Sequence, residues 1–474
     1  MLSTAELVLT LTLIVPVALG QGTDTAREHA EKALRFAQQG DLKSAESELR
    51  KAVELSPGDP ALLTSLGGIL GMEGDLQQAN VYPAKAVKLN PQDAVSRRNL
   101  AANEWQLGRL KEARENLDRL ISSNPQDRTA IFLLGMVSEK EKDYARSAAL
   151  LESVPEVLDR QPDGFVALAS AYYHTNRRED ARRILRPLLR TGGNGRTAFL
   201  GGQTAMAAQD YPTAEALFTA AKSDYPNAAA VEFQVAMAQY REGRAGESEK
   251  TLLAAIEQKR AHGDAYVLLC QILAEKGAQV RALEFATEAV QAFPDSHDVF
   301  SIKASLEMQL RYYNEAVATY EKAARLKPDS VETKRGLATA QWRAGKRERA
   351  VAVFEQTMRQ SPRDALTYQV YGTLLVEDST PEARARAAEL LQKSIALDDS
   401  SAEARYQLGN VELADGKPEQ ALPHLERAIQ LDPLDSRFHF ALSRVYRRLG
   451  RSPDADKEME AYQKLKSAAA SNQR

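Results

Sequence analysis

Cysteine is almost absent from this chain: Cys270 is the only one in 474 residues. That excludes an intramolecular disulfide and a thiolate metal cage built from this chain alone. Histidine is also scarce, and no two of His29, His174, His262, His297, His424 and His439 lie three to five residues apart. No helix therefore carries the paired imidazoles of an HExxH metal site. Charge of one sign is missing too. The 62 Lys and Arg against 65 Asp and Glu leave a formal net charge of -3, which supplies no basic field to hold a phosphate backbone and excludes nucleic acid as a general partner. The one glycine-rich stretch, Gly192-Gly193-Asn194-Gly195, has no Lys-Ser or Lys-Thr after it and so does not read as a phosphate cradle. Nothing resembles a nucleophile elbow. No cofactor and no small-molecule substrate are expected.

Long apolar runs are lacking except at the start, where one extends from Leu7 to Leu19. It falls short of the ~20 residues that a spanning helix needs, and Ala18 and Gly20 fit a cleavage site before Gln21. Residues 1–20 are expected to be an export signal, which places the protein in the periplasm or outside the cell. The alternatives are an inner-membrane anchor over residues 5–20, or an apolar first helix that caps the fold. Glu6 and the lack of a preceding Lys or Arg weigh against export, and the lack of a following cysteine excludes a lipoprotein anchor. Membrane contact is expected only through this segment or a membrane-bound partner.

What the chain does have is a period. Ala402 to Asp435 holds its clearest copy: Leu408 and Gly409 lie on one helical turn, Gly416 ends that helix, Lys417-Pro418-Glu419 opens a second, and Pro433 stops it. Ala421 marks the place where the two helices approach most closely and only a small side chain fits. The same slot recurs at Ala45, Ala79, Ala113, Ser147, Ala181, Ala214, Ser248, Ala282, Ala316, Ala350, Ala387 and Ala455. The spacing is 34, apart from 33 between Ala181 and Ala214 and 37 between Ala350 and Ala387. Prolines such as Pro57, Pro91 and Pro328 fall 12 after an anchor, and glycines such as Gly40, Gly74 and Gly345 fall five before one. With Leu-Gly or Leu-Ala in the first helix, this period resembles the tetratricopeptide repeat, a 34-residue helix–turn–helix. The resemblance implies an all-α, right-handed superhelical α-solenoid of about thirteen hairpins, in which one extended core replaces separate globular domains.

The expected organisation is repeats one to five over 26–193 and repeats six to thirteen with a terminal capping helix over 194–466, followed by a disordered tail over 467–474. Pro83 lies inside a second helix and is expected to kink it or shorten its hydrogen-bond ladder. Pro155 and Pro162 bracket the end of repeat four. Thr191 to Gly195 reads either as a flexible joint or as a tight turn with ordinary stacking across it. The three extra residues before Ala387 are expected in a polar loop over Glu377-Asp378-Ser379-Thr380-Pro381. Cys270 sits in the small-residue slot of a first helix and reads as a packing thiol.

Repeats fill the chain so completely that no span remains for a separate catalytic domain, and no enzyme activity is expected. The resemblance further implies that first helices line a concave groove, through positions three before, one after and four after the glycine slot. On this chain those positions are Phe132, Met136 and Glu139; Val166, Ser170 and Tyr173; Phe199, Gln203 and Met206; and Phe233, Met237 and Tyr240, with Trp105 before them. Such an aromatic and methionine stripe suits a bound peptide or partner helix, although the same side chains could simply pack between first helices. A second patch falls at Asn410, Arg444 and Arg447, with Arg448 and Arg451 nearby. Some relatives would use such residues to grip a terminal carboxylate, while arginine forks facing solvent are the ordinary alternative. The expected function is a non-catalytic protein-interaction scaffold or adaptor. A co-chaperone or assembly factor of a cell-envelope secretion, polysaccharide or outer-membrane complex is the runner-up, and a hydrolase or transferase with an unrecognised groove site is a distant third.

Overall fold

The computed structural model describes residues 24–190, 195–378 and 380–471, and among them every regular element is a helix. The helices come in pairs, from Asp24–Gln38 with Leu42–Leu55 to Ser436–Arg448 with Ser452–Ser471. They group into two compact units: Met1–Arg260, with seven pairs among the described residues, and Ala261–Arg474, with six. The boundary expected at 193/194 falls inside the first unit. Residues 191–194 of the expected joint and the whole export segment lie outside the described residues. Within a unit, second helices pack on the first helices that follow them, as Leu42–Leu55 does on Pro60–Glu73 and Pro418–Leu431 on Ser436–Arg448. Successive first helices also touch, as Pro60–Glu73 touches Ala94–Gln106. Each unit is thus an α-solenoid, in which a hairpin buries its faces against its neighbours.

Local chemistry dictates the hairpin. All eight glycines five before an anchor have φ between 73° and 87°. The residue after this slot sends its N–H back five positions, as Asp75 does to Leu70 O at 3.0 Å and Lys417 to Glu412 O at 2.9 Å. This left-handed closure satisfies carbonyls at the helix end and reverses the chain. Lys142, Asn176, Gln209 and Arg311 take the same backbone without being glycine, at φ 65°, 59°, 56° and 63°. At the other end of the pair, proline stops the second helix and an acid two residues later caps the next one. Asp59 accepts from Ala61 N at 2.9 Å, Asp93 from Ser96 N at 2.9 Å and Asp127 from Ala130 N at 3.0 Å.

All thirteen anchors have 0% exposure. Opposite them, a Cβ added at Gly135 would sit 2.7 Å from Leu151 Cγ, one at Gly372 2.8 Å from Leu391 Cγ, and one at Gly409 2.7 Å from Leu425 Cγ. The side chain four after each anchor therefore fills the space that glycine leaves. Where serine replaces the anchor alanine its hydroxyl is satisfied across the pair: Ser147 Oγ donates to Gly135 O at 2.9 Å and Ser248 Oγ to Ala236 O at 2.7 Å. Cys270 mirrors this from the first helix, its Sγ donating to Ala282 O at 3.2 Å, and burial pushes the thiol up to about 12.

Four irregularities refine the expectations. The helix Leu76–Leu89 runs unbroken through the buried Pro83. Pro83 has no N–H to give Ala79 O, and Asn103 Nδ2 from the next hairpin donates to that carbonyl at 2.9 Å. The three extra residues before Ala387 do not swell a loop. They extend the second helix, which starts at Pro381 and spans 17 residues instead of the usual 14, with Thr380 as its cap. Pro155 cuts the second helix of hairpin four to Tyr144–Glu152 and starts a short helix, Pro155–Leu158. The last helix continues to Ser471, so the tail expected from residue 467 is helical at its start. Among the described residues no helix is long and apolar enough to cross a membrane.

In six hairpins the residue nine before the anchor is a buried polar one, namely Glu104, Ser138, Gln239, Glu307, Gln341 and Glu412, and in two of them it bonds to the second helix. Asn116 Nδ2 donates to Glu104 Oε2 at 2.9 Å, and Thr251 Oγ1 to Gln239 Oε1 at 2.9 Å. In hairpin twelve the pair is weaker: Glu412 is 8% exposed, its Oε1 stands 3.7 Å from His424 Nε2, and its Oε2 finds no protein partner. Burial pushes the Glu412 carboxyl up to about 7, against the opposing pull of Lys417, and burial with Arg405 holds His424 below its ordinary value.

Two outcomes follow. Gly67→Ala puts a Cβ 2.7 Å from Pro83 Cγ and 2.9 Å from the Ala79 carbonyl, so a loss of about 2 kcal/mol is expected. In a Gly67→Ala/Pro83→Ala double-mutant cycle, followed by Trp105 emission in a Trp342→Phe background, the Gly67→Ala loss should shrink; additive losses would refute the steric pairing. For Glu412, the folded carboxyl binds its proton more tightly than the unfolded one. It therefore costs stability as pH rises from the ordinary 4.5 through about 7. Glu412→Gln should raise the unfolding free energy from urea titration at pH 8 by on the order of 2 kcal/mol and converge with the parent below pH 4.5, read by Trp342 emission in a Trp105→Phe background. His424 acts with the opposite sign below its ordinary value, so variant and parent are compared at each pH; a pH-independent difference would refute the assignment.

Candidate functional site

Three successive first helices of the first unit, Arg128–Lys140, Asp163–His174 and Gly195–Ala207, wall a cavity of about 710 Å³. Met136, Val166, Ala167 and Leu200 give it an apolar surface, and Ser170, Tyr173 and Gln203 add polar atoms. The rim carries two acids and two bases, Glu139 and Asp163 with Lys140 and Arg178. These charges are engaged within the protein: Glu139 accepts from Ser170 Oγ at 3.0 Å and lies 3.2 Å from Lys140 Nζ, Asp163 accepts from Thr197 Oγ1 at 3.2 Å, and Arg178 donates to Ala208 O at 2.9 Å. The side-chain amides of Gln203 and Asn176, which also line it, have no hydrogen-bonding partner among the described residues.

One wall is held by a buried ionic network. Tyr173 Oη donates to Asp210 Oδ2 at 2.9 Å, while Arg182 reaches the same carboxylate with Nε at 2.8 Å and Nη2 at 3.0 Å. The Asp210 side chain is fully buried. Burial alone would raise its pKa, but the Arg182 and Tyr173 hydrogen bonds win and hold it below the usual carboxylate range. Burial and the adjacent Asp210 push the Tyr173 phenol upward. Tyr173 is thereby fixed as a neutral donor whose ring lines the cavity. On the rim, His174 stacks on Tyr144 with ring centroids 3.9 Å apart and planes 9° from parallel, and its Nδ1 lies 2.9 Å from Ser170 O.

The structure divides the expected groove residues. Met136 and Tyr173 line the cavity. Trp105, Phe132 and Phe199 do not face it; they belong to the buried core of the first unit. Two of the residues three before a glycine slot are buried by residues further along the chain, while Val166 at the same position lines the cavity. Phe132, at 0% exposure, occupies the space above Gly164, where a Cβ would lie 2.6 Å from its ring, and Phe199 stacks on Tyr225 at 4.3 Å. Packing, rather than ligand contact, accounts for these aromatics. Met206, Phe233, Met237 and Tyr240 are half-buried and do not line the cavity. The rim residues Lys140, His174, Asn176 and Arg178 were missed because they flank the turn. The non-glycine Asn176 in the left-handed slot was their only sequence signal.

In the second unit Asn410 is half-buried, whereas Arg444 and Arg447 are exposed. Among the described residues no group of three or more His, Cys, Asp or Glu is placed to hold a metal ion.

Comparison with known proteins bears on the repeat. One tetratricopeptide-repeat family model matches residues 98–164, 233–297 and 406–472, a second matches 308–371, and a third matches 164–187. The chain is a tetratricopeptide-repeat protein. Among solved structures it is similar to Cut9 in the APC/C hetero-tetramer Cut9-Hcn1, at 13% identity over 93% of this chain and 94% of that one, with a TM-score of 0.43. It is also similar to yeast Tom70, at 15% identity over 94% and 96%, with a TM-score of 0.43. MamA from Desulfovibrio magneticus RS-1 aligns at 20% identity over 36% of this chain and 96% of its own, with a TM-score of 0.32. No curated protein matches.

Proposed function

We propose that this chain is a non-catalytic scaffold, that all of its helix pairs are tetratricopeptide repeats, and that the first unit captures an extended segment of a partner protein between hairpins four and six. The observation that carries this reading is the cavity itself. Three consecutive first helices present an apolar surface with unpaired Gln203 and Asn176 amides beside it. Apolar side chains of a peptide gain area there, and its backbone N–H and C=O groups find amide partners. The rim charges balance and are already paired, so the segment that suits this groove is near neutral. Tyr173 is locked by Asp210 and Arg182 before any ligand arrives, which lowers the ordering cost of binding.

Peptides selected from a displayed random library on the purified chain test this reading. Binding should weaken about tenfold or more when Ser170→Arg/Gln203→Arg fills the groove, with an unchanged helical melt and no loss in a control substitution at Glu389. Peptides that bind parent and filled variant equally would refute it.

We also propose export, on the strength of the apolar run from Leu7 to Leu19 and the small residues at Ala18 and Gly20. This would put the scaffold in the cell envelope, where assembly of a secretion, polysaccharide or outer-membrane complex is the second reading. Expression in a bacterial host followed by intact-mass measurement should show a chain that begins at Gln21. An uncleaved, membrane-bound product would favour the anchor over residues 5–20, and an uncleaved soluble product would overturn both.

A further inference from the structure

The last hairpin of the second unit carries an unbalanced charge. Its first helix, Ser436–Arg448, contains Arg437, Arg444, Arg447 and Arg448 and no acid. Arg437 is consumed by Asp435 and Glu403 at 2.6 Å and 2.9 Å. Arg444, Arg447 and Arg448 are exposed, and none has an ion-pair or hydrogen-bond partner among the described residues. Elsewhere the chain places arginines against carboxylates, as in Arg98 with Asp127 at 2.8 Å, Arg335 with Asp364 at 3.0 Å and Arg384 with Asp415 at 2.9 Å. Arg447 and Arg448 complement the C-terminal end of their helix, but the row as a whole is left without a carboxylate. One turn before Arg444, Phe440 is 41% exposed and meets Tyr462 of the final helix at 5.2 Å between ring centroids. Lys466 Nζ donates to Tyr462 Oη at 3.2 Å and lies 5.5 Å from the ring centroid, adding a fourth cation beside the aromatic pair.

We propose that Phe440 and Tyr462, with the row Arg444, Arg447 and Arg448, form a second docking surface that takes a short acidic segment of a partner protein bearing an apolar side chain next to its carboxylates. The row spans about 6 Å along the helix, the reach of two or three neighbouring carboxylates. Guanidinium forks pair with carboxylates in two parallel hydrogen bonds. The exposed ring gives the apolar residue a place to settle and sets the register. A nucleic acid or an anionic membrane would need a wider field, and the chain as a whole carries -3. This surface lies in the second unit and does not depend on the groove of hairpins four to six.

Fluorescence anisotropy on the full chain tests the proposal, with a labelled peptide carrying Asp-Glu-Asp-Phe as the probe and its Lys-Lys-Lys-Phe counterpart as the control. The acidic peptide should bind and the basic one should not. Arg444→Glu/Arg447→Glu should weaken the acidic peptide about tenfold and admit the basic one, a swap that a folding defect cannot imitate. Phe440→Ala should weaken it by a smaller factor, with the helical melt unchanged. Failure of the acidic peptide to bind, binding that ignores the charge reversal, or equal competition by heparin fragments or phosphatidylglycerol vesicles would overturn the proposal.

Discussion

The structure depends on how closely two helices can approach at one level of each pair. At that level a small residue on the first helix faces a small residue on the second, and the side chain one turn further along, Leu151, Leu391 or Leu425, drops into the gap. A larger group at either position would separate the helices and tilt the face that the next hairpin must cover. Because a hairpin of this kind cannot bury its own apolar surface, misplacing one face exposes the neighbour's. The requirement is steric and not chemical: Ala, Ser, Gly and Cys all satisfy it, provided that a hydroxyl or thiol finds a carbonyl across the pair.

Stacking also decides which first-helix positions can meet a partner. Phe132, three before its glycine slot, is swallowed because the following hairpin offers Gly164, whereas Val166 at the same position one hairpin later lines the cavity. In hairpins four to six, Met136, Ser170, Gln203, Glu139 and Tyr173, one or four after the slot, line the cavity, whereas Trp105, four after the slot of hairpin three, is buried. Rings therefore mark the core of the first unit, while its accessible surface is built from methionine, small polar residues and one tyrosine held in place by a buried Asp210. In the second unit Phe440, three before the slot of the last described hairpin, is 41% exposed.

The period, the turns and the anchors were legible in the sequence because each rests on a local rule with few chemical solutions. Glycine five before the anchor answers a left-handed backbone, and proline twelve after it answers a helix that must stop. What was illegible rests on contacts between residues far apart in the chain. The burial of Phe132 depends on Gly164 of the next hairpin and that of Phe199 on Phe218 and Tyr225, and spacing along one helix cannot report either. The three residues added before Ala387 looked like a loop because Asp, Ser and Thr cluster there. Thr380 and Pro381 are instead the cap and first residue of a longer helix, a reading open to the sequence but outweighed by composition. Lys142, Gln209 and Arg311 hid their turns because no side-chain preference advertises the left-handed backbone they adopt.

The hydrogen bond from Asn103 to Ala79 bears on how such an array can evolve. Solenoid units are commonly treated as interchangeable bricks, gained or lost by duplication and deletion without consulting their neighbours. Here the second brick carries a proline that strands one of its own carbonyls, and the third supplies the amide that answers it. Gly67 accommodates the ring of that same proline. These two units are physically coupled: excising either, or pasting one beside a stranger, would uncover a defect that neither shows while they remain adjacent.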